Sequence, residues 1–142
     1  MATAQSHIEI AASPDAVWQL IGGFNSLPDW LPYIPESHLS EGGRVRTLAN
    51  PNGETIVERL IAFDQATRSY SYAILQAPFP VTDYLSTLQV KPTNDGKGSR
   101  VEWSGRFTPK GVSDAEASSL FQAIYDDGLK ALVSGWTTRA AE

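Results

Sequence analysis

One long helix near the C-terminus, from Ser113 to about Arg139, is the most clearly marked element of this sequence. Its start, Ser113-Asp114-Ala115-Glu116, has the form of a capping box, in which Ser113 caps the helix and Glu116 reaches back to it. Apolar residues then recur at helical spacing and form one broad face, which comprises Ala117, Leu120, Phe121, Ile124, Tyr125, Leu129, Leu132, Val133 and Trp136. A helix of this length with a single apolar face needs a large partner surface, so we expect the preceding strands to wrap around it.

Two glycines, Gly128 and Gly135, lie on or beside this apolar face. Each costs about 1 kcal/mol relative to alanine in a helix interior, so another feature of the fold must offset the loss. One explanation is a close approach of the helix to a strand, which a side chain would block. The other is space left for a ligand beneath the helix. The sequence alone leaves both open, and Gly128 is therefore a candidate ligand-contact residue.

The composition is typical of one globular domain. The chain has 142 residues, of which 42% are hydrophobic, so residues 1–142 are expected to fold as a single domain with one core. The net charge of −5 and the lack of any lysine or arginine cluster argue against nucleic acid or an anionic membrane surface as a partner. No apolar run is long enough to span a membrane, and the N-terminus lacks the pattern of a signal peptide. We therefore expect a cytoplasmic monomer or homodimer.

Several kinds of chemistry lack the residues that they need. The absence of cysteine excludes disulfides and thiolate chemistry. The two histidines, His7 and His38, stand far apart and come with no metal-ligand spacing, so we expect no metal site. A phosphate loop, a dinucleotide fingerprint and a hydrolase nucleophile elbow are also missing, so we expect no cofactor.

The N-terminal part of the chain predicts one strand and two short helices. Residues 3–11 alternate in the manner of a strand with one buried face. Ser13-Pro14-Asp15 marks the start of a helix, and Gly22-Gly23 marks its end. Prolines interrupt residues 24–35 at three positions, so at most a second short helix fits there.

From Glu36 onward, the pattern is a run of strands separated by turn residues. The strand segments are residues 38–39, 44–48, 55–63, 69–75, 82–90 and 100–108. A run of strands followed by a helix indicates an α+β domain with a mostly antiparallel sheet. Because a strongly curved sheet stands away from the helix that covers it, we expect a cavity between the two.

The order of elements and four local motifs resemble the helix-grip superfamily. The motifs are Ser13-Pro14-Asp15-Ala16-Val17-Trp18, Asp29-Trp30-Leu31-Pro32, Glu58-Arg59-Leu60 and Val101-Glu102-Trp103. This superfamily, also called SRPBCC or START-like, includes birch-pollen-allergen-like proteins, lipid-transfer domains and bacterial polyketide cyclase/dehydrase-like proteins. The chain most resembles the last of these. The resemblance implies a curved antiparallel sheet of about seven strands wrapped around the long C-terminal helix, with two short helices between strands 1 and 2.

A more distant likeness to plant abscisic-acid receptors, of the same superfamily, suggests where a ligand would bind. It implies a gate-like loop at Asn50-Pro51-Asn52-Gly53 and a latch-like loop at Ala77-Pro78-Phe79-Pro80, both over the cavity mouth. It also implies a set of lining residues, namely Thr47, Glu58, Tyr72, Ile74, Phe79, Val81, Tyr84, Ser86 and Phe121. Pro35 stands where those receptors keep a carboxylate-binding lysine, so the likeness indicates the place of the pocket and not its ligand.

Further lining residues follow from positions in the expected fold. Ile124 and Tyr125 lie on the apolar face of the long helix, and Trp30 lies near the implied cavity mouth. In the last strand, alternation places Trp103 inward and Glu102 outward, whereas the family resemblance places Glu102 near the cavity. We follow the alternation, and therefore include Trp103 among the lining residues but not Glu102.

Glu58 is the main candidate for catalysis. It shares one strand face with Ile56 and Leu60, and a carboxylate on an inward face would have a raised pKa, which suits a general acid or base. The alternation is ambiguous because the other face is also apolar, so an outward or arginine-paired glutamate is the alternative. Tyr72 and Tyr84 would place hydroxyls in the pocket to orient a ligand or stabilise an oxyanion, although buried tyrosines more often serve packing.

These features support three hypotheses of function. The first is binding of a small hydrophobic ligand, such as an aromatic, lipid or polyketide-like molecule, in a cavity between the sheet and the C-terminal helix. The second is a cofactor-independent enzyme of the cyclase, dehydratase or aldol type, in which Glu58 moves a proton. The third is a partner-docking module whose gate-like and latch-like loops respond to a ligand.

Overall fold

The computed structural model describes residues 1–141. Its elements, in chain order, are β1 (Ala2–Ile10), α1 (Pro14–Ile21), α2 (Leu27–Trp30), β2 (Glu36–Ser40), β3 (Val45–Ala49), β4 (Thr55–Asp64), β5 (Ser69–Gln76), β6 (Val81–Pro92), β7 (Ser99–Pro109) and α3 (Asp114–Ala141). A short 3-10 turn, Glu41–Gly43, joins β2 to β3. No helix within residues 1–141 is long and apolar enough to cross a membrane.

The seven strands form one antiparallel sheet in the order β1-β7-β6-β5-β4-β3-β2. Strands β2 to β7 follow one another as neighbours, because each is joined to the next by a turn, whereas β1 pairs with the last strand in the chain. The prediction of an α+β fold with about seven strands, two short helices after the first strand and one long C-terminal helix is confirmed.

Helix α3 packs its predicted apolar face against the sheet. Phe121, Tyr125, Leu129 and Leu132 are all buried. The backbone N–H of Glu116 donates to Ser113 Oγ at 3.0 Å, as expected for a helix cap. The Glu116 carboxylate accepts from the Ser113 hydroxyl at 3.2 Å, so only half of the predicted capping box is formed.

Gly128 allows α3 to approach the sheet closely. A Cβ atom at this position would lie 2.7 Å from Cζ3 of Trp103 on β7, which is too close, and 3.1 Å from Cδ1 of Leu31, which is a tight contact. Of the two explanations for this glycine, the structure supports close packing and not space for a ligand, because the Trp103 ring already fills the position.

The side chain of Gln122 on α3 covers the free edge of β1. The backbone N–H of Gln5 donates to Gln122 Oε1 at 3.2 Å, and Gln122 Nε2 donates to the Gln5 carbonyl at 2.6 Å. The side-chain amide thus takes the place that a neighbouring strand would occupy. Unpaired strand edges favour unwanted pairing between chains, so this contact protects one end of the sheet.

Candidate ligand-binding site

Two adjacent spaces lie between α3 and the sheet. The inner cavity has a volume of about 70 Å³ and is lined by Leu27, Leu31, Ile34, Arg46, Leu48, Ile56, Glu58, Tyr72, Ile74, Phe79, Tyr84, Trp103, Phe121, Ile124 and Tyr125. The outer groove has a volume of about 320 Å³ and is lined by Leu31, Tyr33, Ile34, Asn50, Pro51, Ile56, Phe79, Leu120, Ala123, Ile124 and Asp127. Five side chains belong to both spaces and form the wall between them: Leu31, Ile34, Ile56, Phe79 and Ile124.

Aromatic rings fill most of the hollow that the curved sheet leaves. The ring centroid of Phe121 lies 4.9 Å from that of Tyr84 and 4.7 Å from that of Phe107. The rings of Trp103 and Tyr125 stack at 4.7 Å. The remaining inner cavity of about 70 Å³ has room for roughly two water molecules.

Both loops that the sequence suggested for the cavity mouth contribute to the outer groove. Asn50 and Pro51 come from the gate-like loop, and Phe79 comes from the latch-like loop. The Phe79 ring meets Phe121 edge to face at 5.3 Å. Phe79 therefore connects the groove wall to the buried aromatic cluster.

A buried ion pair between Arg46 and Glu58 forms part of the inner cavity wall. The two residues are cross-strand partners on β3 and β4, and Nε and Nη2 of Arg46 each lie 2.8 Å from Oε1 of Glu58. Arg46 is 1% exposed and Glu58 is 6% exposed. Arg46 Nη1 also donates to the Phe24 carbonyl at 2.9 Å and to the Tyr70 hydroxyl at 3.3 Å. These bonds, together with a Phe24 ring centroid 4.2 Å from the guanidinium carbon, fix Arg46 in place.

Burial acts on the pKa values of Glu58 and Arg46 in opposite senses, and the ion pair acts against burial in both. Burial raises the pKa of the Glu58 carboxyl above its ordinary value, and Arg46 opposes that rise. Burial lowers the pKa of Arg46, but its neighbours, Tyr70 and Glu58 among them, raise it by more, so the guanidinium stays charged. A neutral Glu58 would leave that buried charge without a counter-ion. The two 2.8 Å contacts therefore indicate an ionised pair at neutral pH, with no net charge.

Only one oxygen of the Glu58 carboxylate is used by Arg46. Both close guanidinium nitrogens converge on Oε1. Among residues 1–137, whose side chains the structure describes, no hydrogen bond reaches Oε2. Since Glu58 lines the inner cavity, this second oxygen is an acceptor available to a bound molecule.

A chain of buried hydroxyl groups lies beside the ion pair. Tyr125 OH donates to Ser86 Oγ at 3.4 Å, and Ser86 Oγ donates to the Ser104 carbonyl at 2.8 Å. Tyr84 and Tyr125 share a hydrogen bond. Because the Tyr125 proton is directed at Ser86, the proton between the two tyrosines belongs to Tyr84. Burial raises the pKa of Tyr125 to about 12, so its hydroxyl is neutral at physiological pH.

A bulge in β6 turns Tyr84 into the cavity. The register with β7 shifts between Thr82 and Leu85, and Asp83 adopts a left-handed conformation with φ of 52°. The Tyr84 ring then stacks on Phe107 of the neighbouring strand, with centroids 5.9 Å apart. Such bulges re-aim single side chains next to binding sites.

Nine of the predicted lining residues lie on the inner cavity: Glu58, Tyr72, Ile74, Phe79, Tyr84, Trp103, Phe121, Ile124 and Tyr125. The five others do not line it, and they are Trp30, Thr47, Val81, Ser86 and Gly128. Trp30 is buried against the Trp103 ring at 6.0 Å, and Ser86 lies behind the tyrosines that it binds. The ligand-binding role of the nine residues stays a prediction.

The sequence analysis missed Arg46, and the likeness to the plant receptors implied its neighbour Thr47 instead. On β3, Arg46 and Leu48 are buried and line the cavity, whereas Thr47 between them is half-buried and belongs to the other face. The sequence does contain a signal for Arg46. Leu48 is apolar and is expected to face inward, and Arg46, two residues before it on β3, lies on the same face of the strand. The remaining missed lining residues are Leu27, Leu31, Ile34, Leu48 and Ile56.

The structure shows the orientation of Glu58 and Glu102, for which the sequence left alternatives open. Glu58 combines the alternatives, because it is inward and also paired with an arginine, although the partner is Arg46 and not the adjacent Arg59. Glu102 points outward, as alternation predicted, and pairs with Lys91 at 2.8 Å and Arg100 at 2.7 Å.

Comparison with known proteins identifies the family. Residues 1–134 match the sequence profile of the family described as polyketide cyclase / dehydrase and lipid transport. The chain belongs to this family.

Solved structures similar to this member of the polyketide cyclase / dehydrase and lipid transport family include two from bacilli. The protein XoxI from Bacillus cereus is 63% identical, with a TM-score of 0.92 and 94% of each chain covered. An uncharacterized protein from Bacillus thuringiensis is 61% identical, with a TM-score of 0.93 and coverage of 96% of this chain and 99% of that one. The ZhuI aromatase/cyclase from Streptomyces sp. R1128 is 19% identical, with a TM-score of 0.74 and coverage of 98% and 93%, and shows the shared helix-grip fold.

Proposed function

We propose that the protein binds a small, largely apolar ligand, with the body of the ligand in the outer groove and its head in the inner cavity. The observation that carries this proposal is the junction of an apolar groove of about 320 Å³ with a cavity that holds a buried ion pair. Ligand pockets commonly combine apolar walls with a few fixed polar groups, and this groove is at the lower end of their usual size.

The shared wall explains how one molecule would reach both spaces. Phe79 and Ile124 are each only partly buried, and both separate the groove from the cavity. A change of side-chain rotamer at either position joins the two volumes without moving the backbone, because partly exposed side chains change rotamer readily. The name of the family, which includes lipid transport, supports a binding role of this kind.

A substitution that fills the outer groove tests whether the groove binds the ligand. Ala123 is exposed and lines the outer groove, so Ala123→Trp places an indole where the ligand would lie while leaving the core untouched. We expect the affinity for the neutral fluorescent probe N-phenyl-1-naphthylamine, measured by fluorescence titration, to fall at least about tenfold, since the indole and the probe compete for the same space.

Ala115→Trp is the matched control for this test. Ala115 is exposed on the first turn of α3 and does not line the groove, so probe affinity should be unchanged. If the unmodified protein does not bind the probe, or if both tryptophan variants bind it equally well, the groove is not the ligand site.

A second candidate function, proton transfer at a carbon next to a carbonyl, is favoured by the free oxygen of Glu58 in the inner cavity. The carboxylate would take the proton, and the electrons of the broken C–H bond would form an enolate whose oxygen carries the negative charge. Tyr72 accepts a hydrogen bond from Trp103 Nε1 at 3.1 Å, and its own hydroxyl proton would stabilise that oxygen. Tyr84 is less suited to this role because its proton is directed at Tyr125.

Deuterium exchange tests this candidate without knowledge of the natural substrate. We expect the protein to accelerate exchange of the methyl protons of 2-acetonaphthone in D₂O, measured by NMR. The rate should rise as the pH passes upward through the pKa of Glu58, which burial raises above its ordinary value of 4.5, because only the ionised carboxylate is a base.

Glu58→Gln should reduce the catalysed rate at least about 100-fold, whereas Glu102→Gln on the outer face should not change it. The two variants are compared at a temperature where circular dichroism shows both to be folded. Equal rates in the two variants, or a rate no faster than buffer alone, would remove Glu58 from any such mechanism.

A further inference from the structure

We infer that the head of the ligand is an uncharged hydroxyl group held by Glu58, and that carboxylate ligands are excluded. This inference rests on the proposed function, and it assigns the chemical class of the group that enters the inner cavity. It follows from where the polar atoms of the cavity wall direct their protons.

The wall of the inner cavity offers a hydrogen-bond acceptor at Glu58. Glu58 lines the inner cavity and is 6% exposed, and among residues 1–137, whose side chains the structure describes, no hydrogen bond reaches its Oε2. A buried acceptor that a ligand cuts off from water without replacing its hydrogen bond costs about 1–3 kcal/mol, and more when it is charged. A ligand that donates a proton to Oε2 recovers this loss.

The hydroxyl of Tyr84, which also lines the inner cavity, has its proton engaged within the protein. The Tyr84 proton is directed at Tyr125, whose proton goes to Ser86 and from there to the Ser104 carbonyl. The chain ends on a carbonyl, which can only accept, so its direction is fixed. Because Tyr84 lines the cavity and its proton is already used, its hydroxyl oxygen can only accept a hydrogen bond from a bound molecule.

The charges in the cavity wall disfavour an anionic ligand. Among the described residues that line the cavity, Arg46 is the sole cation, and four of its five N–H groups already have contacts: two to Glu58, one to the Phe24 carbonyl and one to Tyr70. A carboxylate entering the cavity would meet the free oxygen of Glu58 with no uncompensated positive charge nearby. Two carboxylates in contact within a buried site repel each other strongly, so an anionic head group is disfavoured.

The volume of the inner cavity limits which hydrogen-bond donor groups can enter it. The inner cavity of about 70 Å³ admits a group of only a few atoms. A hydroxyl fits, donates one proton to Glu58 Oε2, and can accept one from the Tyr72 hydroxyl, which also lines the cavity. A phenol or alcohol on an apolar body thus satisfies the site, whereas a hydrocarbon leaves Oε2 unpaired.

Three probes with the same body test this inference: 2-naphthol, naphthalene and 2-naphthoate. Calorimetric titration at neutral pH should show 2-naphthol binding about 10- to 100-fold more tightly than naphthalene, which corresponds to one hydrogen bond to a charged acceptor. Naphthoate should bind more weakly than naphthalene. The double variant Arg46→Met/Glu58→Leu should bind 2-naphthol and naphthalene with similar affinities, and Glu102→Gln should keep the preference of the unmodified protein.

The outcomes separate this inference from the proposed function. Equal binding of 2-naphthol and naphthalene overturns the inference and leaves the groove as a ligand site. Tighter binding of naphthoate also overturns it, because Arg46 would then receive the ligand. If none of the three probes binds, the proposed function fails and the inference fails with it.

Discussion

Replacing Glu58 by glutamine should lower the free energy of unfolding by about 3–5 kcal/mol, because it leaves the buried guanidinium of Arg46 without a counter-charge. The amide can still accept one hydrogen bond but cannot neutralise the charge. Urea unfolding at neutral pH, followed by circular dichroism, measures the loss.

Two further variants show whether the loss comes from the unpaired charge. Glu102→Gln makes the same chemical change on the outer face, where Lys91 and Arg100 are solvated, and should cost less than about 1 kcal/mol. Arg46→Met/Glu58→Leu removes both charges and should recover most of the stability lost in Glu58→Gln, because buried ion pairs are often replaceable by apolar residues of similar volume. A Glu58→Gln variant as stable as Glu102→Gln would contradict the ion pair described here.

Phe121→Ala should also cost about 3–5 kcal/mol, because it removes the ring at the centre of the aromatic cluster. Phe121 is 1% exposed and its ring contacts those of Phe79, Tyr84, Phe107 and Tyr125. Thermal unfolding should show a correspondingly lower midpoint. Phe63→Ala is the matched control, since Phe63 is 49% exposed, and it should cost less than about 1 kcal/mol.

The Phe121→Ala variant should in addition respond to benzene. Phe121 lines the inner cavity, so the substitution enlarges that cavity by the volume of a benzene ring. Benzene that binds only the folded state raises the midpoint by mass action, and it should do so for Phe121→Ala and not for Phe63→Ala. A midpoint that does not respond would mean that the surrounding rings collapse into the space.

The sequence predicted the elements of the fold because their signals are local. Alternation located the strands, and the cap at Ser113 with the helical spacing after it located α3. The volume of the cavity could not be predicted in the same way. Periodicity shows which side chains face inward, but it does not show how closely Phe121, Tyr84 and Trp103 pack once they are there.

The ambiguity at Glu58 has a specific cause in β4. The register with β5 shifts between Leu60 and Ala62, so Ile61 is an extra residue in the ladder. Glu58 and Leu60 face inward before the shift, and Phe63, with opposite parity, faces the same side after it, where its ring meets Trp18 at 5.7 Å. Strict alternation along β4 would group Phe63 with Val57 on the outer face, and it fails here because the bulge shifts the alternation by one residue.

The pairing of the Gln122 amide with the Gln5 backbone joins the first strand to the last helix. The chain termini are usually where a native structure frays. Here β1 can detach only when α3 gives up these hydrogen bonds, so the N-terminal and C-terminal elements open as one cooperative unit. The stability of either end of the molecule is thus a property of both.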